Sequence, residues 1–583
     1  MPGFFISNNK TKISMCEEPC IYQQMDYRDF SFECATLNKF IDDKVFIQDD
    51  RYVIILEGVI LNKKDLAETY HKRDMKEILL ALIDRYGENG ISSLRGTFNG
   101  MIYDKMTNHC NVYVDHVGDK PVFYYYDNDM FFCGSTMQYM VEGLKKNQIK
   151  FSLDEEAVYQ ELSYGYMVSE RTLIREVKRL DAGCILCFDG VNVLVNRYHK
   201  FHSDWETLCD WSEDDIIEKL DLLFTDAVRR EYEKDHEYGY RHLSALSGGL
   251  DSRMNVWIAN ELGHNDMLNV SFGQSDYLDE KIAKKITHQL GTDLFIKTLD
   301  SGKCLLDFKE TVRLNNGLSI YFGAAHEYSA FSLLDISKYG LWHTGQLGDV
   351  IVGSYYREEK KSIEEGCGAY SKKLSGMVRL QTGEYENEEM FFLYNRLLKG
   401  TLNGQLPETY YTEVVSPFLY LEFMEFCLNI PLKYRYDHYI YKKWIMKKHP
   451  DAGKISVERF GGDDVFTAYS KNSVISSYLR LLKERGIWFC WKLVLRKVGF
   501  KNVNLKDEHK KLSGMNPVDL WYETKPNIRE ALDNYYEDIF AKSRGLFSSD
   551  LERDMQSLYY NGTTLEKCLV LTVLAFIDVF ICV

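Results

Sequence analysis

The stretch SGGLDSR at residues 247–253 decides the fold of the larger part of this chain. It follows the largely hydrophobic residues 243–246 and precedes the mostly apolar residues 254–259, a pattern that predicts a strand, a tight turn and a helix start. Two adjacent glycines let backbone N–H groups point at one place, and the helix start adds unpaired N–H groups and the positive end of its dipole. An ordinary capped turn would explain a bare Ser-Gly-Gly, but the whole stretch favours binding of a polyphosphate.

The side chains of this turn also suit phosphate chemistry. The hydroxyls of Ser247 and Ser252 add hydrogen-bond donors, and Asp251 is a candidate ligand for Mg²⁺ beside the phosphates. The turn is not a Walker A motif, because no Gly-Lys-Ser or Gly-Lys-Thr follows it. It resembles the PP-loop of the ATP pyrophosphatases. That resemblance implies that the loop holds the β,γ-phosphates of ATP while AMP is transferred to a carboxylate or carbonyl oxygen.

Length and composition are those of a globular protein with more than one domain. The chain has 583 residues, of which 45% are hydrophobic and 27% charged. A formal net charge of −16 makes non-specific binding of nucleic acid unfavourable. Because the first residues lack the basic head and apolar run of a signal peptide, we expect a cytoplasmic protein.

Two further patterns limit the class of protein. The apolar stretch 568–583 is too short to span a bilayer and contains Asp578, so we expect a buried terminal helix and no membrane span. Cys184 and Cys187 have the C-x-x-C spacing of a zinc or redox site, but no second pair accompanies them. We therefore expect the 14 cysteines to be reduced thiols.

Residues 1 to about 150 are predicted to be mostly strands with short helices. Strand-like runs occur at residues 52–56 and 111–114. Between them, residues 76–85 have apolar side chains at helical spacing. This mixture is typical of an α+β domain.

Two glycine-marked runs in this region resemble the signatures of class II glutamine amidotransferase domains. They are LRGTFNGMIYD at residues 94–104 and DHVGDKPVFYY at residues 115–125. Such domains form the N-terminal half of glutamine-hydrolysing asparagine synthetases, and the PP-loop follows here in the same order. Matches within residues 279–292 and at 416–419 extend the resemblance, which leaves only about 466–560 without landmarks. The chain is therefore similar to the asparagine synthetase (glutamine-hydrolysing) superfamily.

This resemblance implies a fold with two domains. Residues 1–200 would form an α+β, Ntn-type αββα sandwich, as an inactive class II glutamine amidotransferase-like domain. Residues 205–583 would form an asparagine synthetase-like ATP pyrophosphatase domain, an α/β unit with the PP-loop and a parallel sheet.

The amidotransferase-like half departs from the family where its chemistry would occur. The family has a nucleophilic cysteine whose free α-amine serves as the base, and the corresponding residue here is Pro2. Glu57 stands in the segment that supplies an oxyanion-hole amide in the family, and its charge would oppose an oxyanion. We therefore predict that this half does not hydrolyse glutamine and is a structural or docking domain.

The synthetase-like half departs less. In the segment TGQLGDVIVGSY, residues 344–355, Asp349 is retained as a second carboxylate for Mg²⁺, and Gln346 replaces the family's glutamate. Gly461 stands where the family has a lysine, and Arg459 matches a family arginine that could cover part of its role. Arg253 is either a residue behind the site or an added phosphate clamp.

The resemblance thus implies a defined set of site residues. For ATP they are Leu246, Ser247, Gly248, Gly249, Asp251, Ser252, Phe272 and Gly345; for Mg²⁺ they are Asp251 and Asp349; for catalysis they are Gln346, Arg459 and Tyr355. The base that replaces the family glutamate is left open among Tyr355, Tyr356, His343 and His326.

The expected function is that of an AMP-forming carbon–nitrogen ligase that uses ATP and Mg²⁺. An acyl adenylate would react with an amine from a source other than glutamine, as in β-lactam synthetases and lasso-peptide cyclases, relatives that also lack the cysteine. The carboxylate could belong to a peptide that is cyclised, or to a sugar or an amino acid. A homo-oligomer or a pathway partner protein is left open.

Two alternatives remain open from the sequence. A non-catalytic nucleotide-binding scaffold or partner subunit would explain the losses at Gln346 and Gly461. An ammonia-dependent asparagine synthetase would keep the family reaction, although Gln346 and Tyr420, which replaces a family aspartate, count against its aspartate site.

Overall fold

The computed structural model describes residues 2–15, 19–364, 366–470 and 515–582. Residues 471–514, which belong to the stretch without family landmarks, lie outside the described residues.

The N-terminal half is built from two antiparallel sheets. Its strands are β1 (Gly3–Ser7), β2 (Cys20–Tyr27), β3 (Phe30–Leu37), β4 (Val45–Gln48), β5 (Tyr52–Ile60), β6 (Gly96–Asp104), β7 (His109–Val114), β8 (Phe123–Asp127), β9 (Met130–Gly134), β10 (Lys178–Arg179), β11 (Cys184–Phe188) and β12 (Val193–Arg197). Among the described residues they form two six-stranded sheets, in the orders β10-β8-β9-β1-β3-β2 and β12-β11-β7-β6-β5-β4.

Helices cover the outer faces of both sheets. They are α1 (Lys63–Tyr70), α2 (Met75–Tyr86), α3 (Met137–Lys146) and α4 (Glu155–Tyr164). Apolar side chains of the two sheets, among them Phe32 and Val112, meet in a shared buried core. Leu79 and Leu82 of α2 pack on the outside of the second sheet, and Met140 of α3 packs on the first. The order helix, sheet, sheet, helix confirms the predicted αββα sandwich.

The second half is organised around a parallel sheet. Its strands are β13 (Arg241–Ala245), β14 (Met267–Gly273), β15 (Asp293–Thr298), β16 (Tyr339–His343) and β17 (Val414–Val415). Its helices are α5 (Glu213–Glu237), α6 (Asp251–Glu261), α7 (Leu278–Leu290), α8 (Phe308–Leu314), α9 (Tyr321–Phe331), α10 (Gly348–Val352), α11 (Glu388–Phe392), α12 (Leu421–Leu428), α13 (Leu432–Arg435), α14 (Tyr439–Lys448), α15 (Pro450–Gly453), α16 (Val465–Ser470), α17 (Val518–Thr524), α18 (Pro526–Lys542), α19 (Ser549–Asn561) and α20 (Thr564–Phe576).

The strand order of this sheet creates a cleft. The order β15-β14-β13-β16-β17 is parallel throughout. The chain leaves β13 through α6 towards β14 and β15, then returns to place β16 on the other side of β13. The loops after β13 and β16 therefore diverge, and ligands of open parallel sheets bind at such a switch point, outside the carboxyl ends of the strands.

Other predictions from the sequence are confirmed by these elements. The helical spacing at 76–85 falls in α2, and the strand-like runs at 52–56 and 111–114 fall in β5 and β7. The terminal helix α20 is buried along its length, and a capping box between Thr563 and Glu566 fixes its start. In the part of the chain that the structure describes, no helix combines the length and apolar character that crossing a bilayer requires.

Candidate active site

Hydrogen bonds from backbone N–H groups to side chains fix the conformation of the turn between β13 and α6. The backbone N–H of Ser247 donates to Oγ of Ser252 at 3.0 Å, and the N–H of Gly249 donates to Oγ of Ser247 at 3.2 Å. The N–H of Gly248 donates to Oδ1 of Asp279 at 2.7 Å, so Asp279 anchors the turn to the start of α7. A Cβ at Gly248 would lie 2.5 Å from that oxygen, which explains why the position requires glycine.

The loop after β16 packs directly on this turn. A Cβ at Gly345 would lie 2.3 Å from the backbone N of Ser252, and one at Gly348 would lie 2.6 Å from Cγ of Asp251. Both glycines therefore allow the backbones of the two loops to touch. The backbone N–H of Asp349 donates to Oδ2 of Asp251 at 3.2 Å, which sets the two carboxylates side by side.

The carboxylates of Asp251 and Asp349 lie side by side, and Arg459 is a cation that contacts Asp349. Burial and the charge of Asp349 raise the pKa of Asp251 to about 7, although the hydroxyl of Tyr441 donates to its Oδ1 at 2.8 Å. Asp349 accepts hydrogen bonds at Oδ2 from Arg459 Nη1 at 3.1 Å and from the Tyr355 hydroxyl at 2.9 Å. Adjacent carboxylate oxygens with excess negative charge fit Mg²⁺, which prefers such ligands. Asp251 and Asp349 are therefore the residues that would hold it.

Arg459 lies at the rim of this pair. Its Nη2 donates to the Tyr355 hydroxyl at 3.1 Å, and its Nη1 lies 3.2 Å from Nε2 of His438. About half of its side chain is exposed. The arginine is thus positioned between the carboxylates and solvent, where an anion on the pair would meet a positive charge.

A single cavity of about 860 Å³ joins these loops. All but two of the predicted site residues line it: Leu246, Ser247, Gly249, Asp251, Ser252, Phe272, Gly345, Gln346, Asp349 and Tyr355. Gly248 and Arg459 border it without lining it. The cavity continues past Phe272 towards His326, Arg396 and Gln405, so it extends well beyond the two loops. We call it the switch-point cleft.

The structure separates the four candidate bases. His326 lines the cleft, and its Nδ1 pairs with the carbonyl of Phe322 at 3.0 Å. Burial lowers the pKa of His326, so the neutral ring donates from Nδ1 and keeps a lone pair on Nε2. Tyr355 and Tyr356 also line the cleft, but burial and nearby carboxylates raise their pKa values, so both keep their protons.

His343 is wrong as a candidate base, because it lies behind the sheet and not in the cleft. It is the last residue of β16 and is buried against α5. Its Nε2 lies 2.8 Å from Oδ2 of Asp235, and its Nδ1 lies 3.5 Å from Glu231. Although burial opposes the charged form, Asp235 and Glu231 raise the pKa of His343 to about 9.

The two interpretations of Arg253 are also resolved. Arg253 is buried and donates from Nη1 to the carbonyls of Ala452 and Ile455, at 3.1 and 2.9 Å, and from Nη2 to those of Gly248 and Ser456, at 3.3 and 2.6 Å. It ties the turn between β13 and α6, which we call the phosphate loop after its predicted role, to the segment before Arg459, and its Nη atoms are directed at backbone carbonyls.

Tyr420 lies outside the switch-point cleft. It is buried near Arg230, whose guanidinium carbon is 5.8 Å from its ring centre. Tyr420 is therefore not part of the lining of the cleft.

Sequence reasoning missed the supporting roles of Tyr441 and Asp279. Asp279 stands at a strand–helix junction on the ligand-binding edge of the sheet, a location that could have suggested its role. Tyr441 comes from α14, 190 positions from Asp251, and no local pattern signals the contact.

A much smaller pocket lies between the αββα half and the second half of the chain, whose Leu314, Leu406 and Tyr410 also line it. It measures about 40 Å³ and is lined by residues that include Pro2, Glu57, Asn99 and Lys120. No cysteine is among its described lining residues. We call it the Pro2 pocket.

Buried ion pairs connect the lining of this pocket to the parallel sheet. Lys44 lies 3.8 Å from Glu57 and 3.1 Å from Glu413, and Lys120 lies 2.6 Å from Glu413. Although burial alone would raise it, Lys120 and Lys44 lower the pKa of Glu413 to about 2. Because Glu413 directly precedes β17, the pairs bind the sandwich to the parallel sheet.

The αββα sandwich and the parallel sheet with its carboxylate pair form the two halves of the chain, an α+β half followed by an α/β half. Residues 43–199 match the family model for a glutamine amidotransferase domain, and residues 219–449 match that for asparagine synthase. With both matches in this order, the chain belongs to the asparagine synthetase-like superfamily.

Individual relatives are distant. The chain is 27% identical over 263 residues to glutamine-hydrolyzing asparagine synthetase 1 of Bacillus subtilis strain 168, which covers 43% of this chain and 40% of that protein. It is 25% identical over 230 residues to a putative glutamine-hydrolyzing asparagine synthetase 2 of Methanocaldococcus jannaschii, with 38% and 43% covered. The matched part of the chain thus spans about two fifths of the length of these relatives.

Among solved structures, an allosteric regulatory enzyme of purine biosynthesis aligns over 51% of this chain and 74% of its own. The TM-score is 0.24 at 10% identity, too low to support any argument.

Proposed function

We propose that this protein is an ATP-dependent ligase that forms an amide from a carboxylate and an amine, through an acyl adenylate and without glutamine. The observation that carries the proposal is the pair Asp251 and Asp349, set side by side at the mouth of the phosphate loop. Burial and the neighbouring carboxylate raise the pKa of Asp251, so its ionised form is costly unless a cation joins the pair. That arrangement suits a magnesium-bound polyphosphate better than any structural role.

The switch-point cleft is large enough to hold two substrates together. About 860 Å³ lies near the upper end of the range for small-molecule sites, roughly 300–1,000 Å³. The phosphate loop and Phe272 would take the nucleotide. The region lined by His326, Arg396 and Gln405 is left for the carboxylate and the amine.

The reaction divides into two displacements. A carboxylate oxygen attacks the α-phosphorus of ATP, a C–O–P linkage forms, and pyrophosphate leaves. The nitrogen of the amine then attacks the acyl carbon, AMP leaves, and the nitrogen gives up a proton. Mg²⁺ held by Asp251 and Asp349 would offset charge on the departing pyrophosphate.

This chain's residues have distinct tasks in that scheme. The serines and backbone N–H groups of the phosphate loop orient the phosphates, and Arg459 supplies positive charge at the rim. His326 is the group we assign as the base for the amine, because its Nε2 is unprotonated and it lines the cleft. Gln346 orients a substrate carbonyl or amine by hydrogen bonds, since an amide cannot accept a proton.

The source of the amine is argued from the Pro2 pocket. Pro2 offers no thiol, and the pocket of about 40 Å³ is bordered by the Glu57 and Lys120 charges. Lys44 and Lys120 both pair with Glu413, and these ion pairs hold the sandwich against the parallel sheet. These features support a docking role for the sandwich and an amine that enters the cleft from solution or from the substrate itself.

Product analysis with isotopes tests the proposal. Purified full-length chain is incubated with Mg²⁺, ATP and fractions of small-molecule and peptide carboxylates, in parallel with ¹⁵N-ammonium or amide-¹⁵N-glutamine. We expect AMP and pyrophosphate in equal amounts, and no transfer of label from glutamine. ADP and orthophosphate as the products, or label from glutamine in the amide, would contradict the proposal.

A His326→Gln variant tests the second displacement. We expect amide formation to fall about 10²–10⁴-fold while adenylation continues, because the base acts only on the amine. The exposed His288 supplies the control, and His288→Gln should leave both rates unchanged. Equal loss of both displacements in His326→Gln would remove it from the role of base.

A nucleotide-binding scaffold is the second candidate. The absence of an acid–base side chain at Gln346 and of a cation at Gly461 favours it. It predicts that Mg-ATP binds with Asp251-dependent affinity and that no AMP forms with any carboxylate fraction. An ammonia-dependent asparagine synthetase is tested in the same assay by aspartate and ammonium as the only substrates.

A further inference from the structure

Four histidines lie close together away from the switch-point cleft, on the face of the parallel sheet that α5 covers. His236 comes from the last turn of α5, His242 from the start of β13, His264 from the loop after α6, and His343 from the end of β16. The reaction proposed above uses none of them. Asp235 of α5 lies among them and contacts both His242 and His343.

Three of these rings form a nearly equilateral triangle. Ring centres of His236 and His242 are 5.0 Å apart, those of His236 and His264 5.1 Å, and those of His242 and His264 5.1 Å. Each ring places a nitrogen within 4.8 Å of the nitrogens of the other two. Stacked apolar packing would not require three imidazole nitrogens to converge.

The nitrogen spacing matches a tetrahedral metal ion. Nε2 of His236 lies 3.1 Å from Nδ1 of His264. With Zn–N bonds of about 2.0–2.1 Å, the edge of a tetrahedron measures about 3.3 Å. Two of the three ligand atoms therefore already have about the separation that one zinc ion needs, and a nitrogen of His242 lies within 4.8 Å of both.

Asp235 orients the third ligand. Its Oδ2 accepts from Nδ1 of His242 at 2.8 Å, which leaves Nε2 of His242 to bind a metal. Its Oδ1 accepts from the backbone N–H of Leu341 at 2.7 Å, so the carboxylate itself is fixed. A carboxylate that holds the far nitrogen of a ligating histidine is typical of zinc sites.

One of the three histidines is exposed to solvent, so an ion can reach the site from outside. His242 and His264 are buried, whereas His236 is exposed. Three imidazoles without a thiol are the ligand set of a zinc ion that keeps one water or outside ligand. Magnesium, which prefers oxygen ligands, would remain at the carboxylate pair of the cleft.

We propose that His236, His242 and His264 bind one Zn²⁺, with Asp235 as the positioning residue for His242. The ion joins the end of α5, the start of β13 and the loop after α6, three consecutive segments within residues 236–264. Its role is to hold α5 on the sheet that carries the phosphate loop. The site is independent of the proposed ligase activity.

Zinc titration of the full-length chain tests this proposal. The purified chain is treated with EDTA, dialysed, and titrated with zinc chloride in competition with a chromophoric chelator. We expect one Zn²⁺ per chain, and affinity lower by about tenfold or more in His236→Ala, because even partners of ligands contribute 10–100-fold. Because His236 is exposed, this variant should fold, and circular dichroism checks that it does.

Matched variants separate this site from other histidines and from the cleft. His264→Asn should weaken zinc binding like His236→Ala, whereas His288→Ala, at an exposed position of α7, should not. Asp349→Asn should keep the zinc while it weakens Mg-ATP binding. Equal zinc affinity in the unchanged chain, His236→Ala and His264→Asn would overturn the proposal, as would no zinc bound by the unchanged chain.

Discussion

The switch-point cleft and the Pro2 pocket differ in volume and in how the charges around them are paired. The cleft measures about 860 Å³ and carries two carboxylates without a matching number of cations. The Pro2 pocket measures about 40 Å³, and its acidic and basic side chains neutralise each other. Unpaired charge next to open volume indicates a ligand site, whereas paired charge around a small volume indicates a structural contact.

Removal of one cleft carboxylate should have the largest effect. We expect Asp251→Asn to lower carboxylate-dependent adenylation by about 10³-fold, because it removes a ligand of the ion that offsets pyrophosphate charge. The rate of AMP formation measures this. Asp276→Asn, at an exposed position near the cleft, is the control and should keep full activity. A loss below tenfold in Asp251→Asn would contradict the assignment of the pair.

Breaking the charge pairs beside the Pro2 pocket should have the largest effect on stability. We expect Glu413→Gln to lower the free energy of unfolding by about 3–5 kcal/mol, because Lys44 and Lys120 lose their buried partner. Urea denaturation measures this. The more exposed pair of Glu422 with Arg95 provides a control, and Glu422→Gln should cost about 1 kcal/mol or less. Equal costs would mean that the buried network is not the contact we describe.

Arg253→Met should affect the cleft indirectly, through the backbone carbonyls to which Arg253 donates. The variant loses hydrogen bonds to carbonyls on both sides of the phosphate loop, and we expect a cost of about 2–3 kcal/mol in stability with weaker Mg-ATP binding. Calorimetric titration and denaturation measure the two effects. Arg253→Lys should recover only part of both, because a single ammonium cannot reach all four carbonyls. Loss of ATP binding with unchanged stability would instead favour direct phosphate contact.

The raised pKa of Asp251 predicts a pH dependence of stability. Its pKa is about 7 in the folded chain and near 3.8 unfolded, so between these values the folded state binds more protons. Stability contributed by this group is therefore lost as pH rises from about 4 to 7. Without divalent ions, we expect Asp251→Asn to be more stable than the unchanged chain at pH 8 by roughly 1–2 kcal/mol, and no more stable at pH 4.

Thermal unfolding at several pH values measures this difference. Added Mg²⁺ should remove most of it at pH 8, because the ion stabilises the ionised pair. A difference that does not vary with pH would contradict the raised pKa.

Restoring a thiol at Pro2 should have the smallest effect. We expect Pro2→Cys to release no glutamate from glutamine above background, because the carboxylate of Glu57, which lines the same pocket, would oppose an oxyanion there. An assay of glutamate release measures this. Glutaminase activity in this variant would show that the Pro2 pocket is still functional.

The sequence predicted the αββα sandwich, the parallel sheet and ten of the 28 described residues that line the cleft. The sandwich and the parallel sheet were implied by the resemblance to the asparagine synthetase superfamily, which rests on short motifs such as residues 247–253. The role of Arg253 depends on carbonyls about 200 positions away, and that of Tyr441 on a contact across 190 positions. In the sequence, His343 and His326 were equally plausible as bases. The structure separates them, because His343 lies against Asp235 of α5 whereas His326 lines the cleft.

Exchange of labelled pyrophosphate into ATP tests the central claim most directly. The full-length chain is incubated with Mg²⁺, ATP, labelled pyrophosphate and carboxylate fractions from which glutamine has been removed. We predict label in ATP for at least one fraction with the unchanged chain, and none with Asp251→Asn. A chain that binds Mg-ATP in an Asp251-dependent way and yet never exchanges label would be a scaffold, and our account of the switch-point cleft would be wrong.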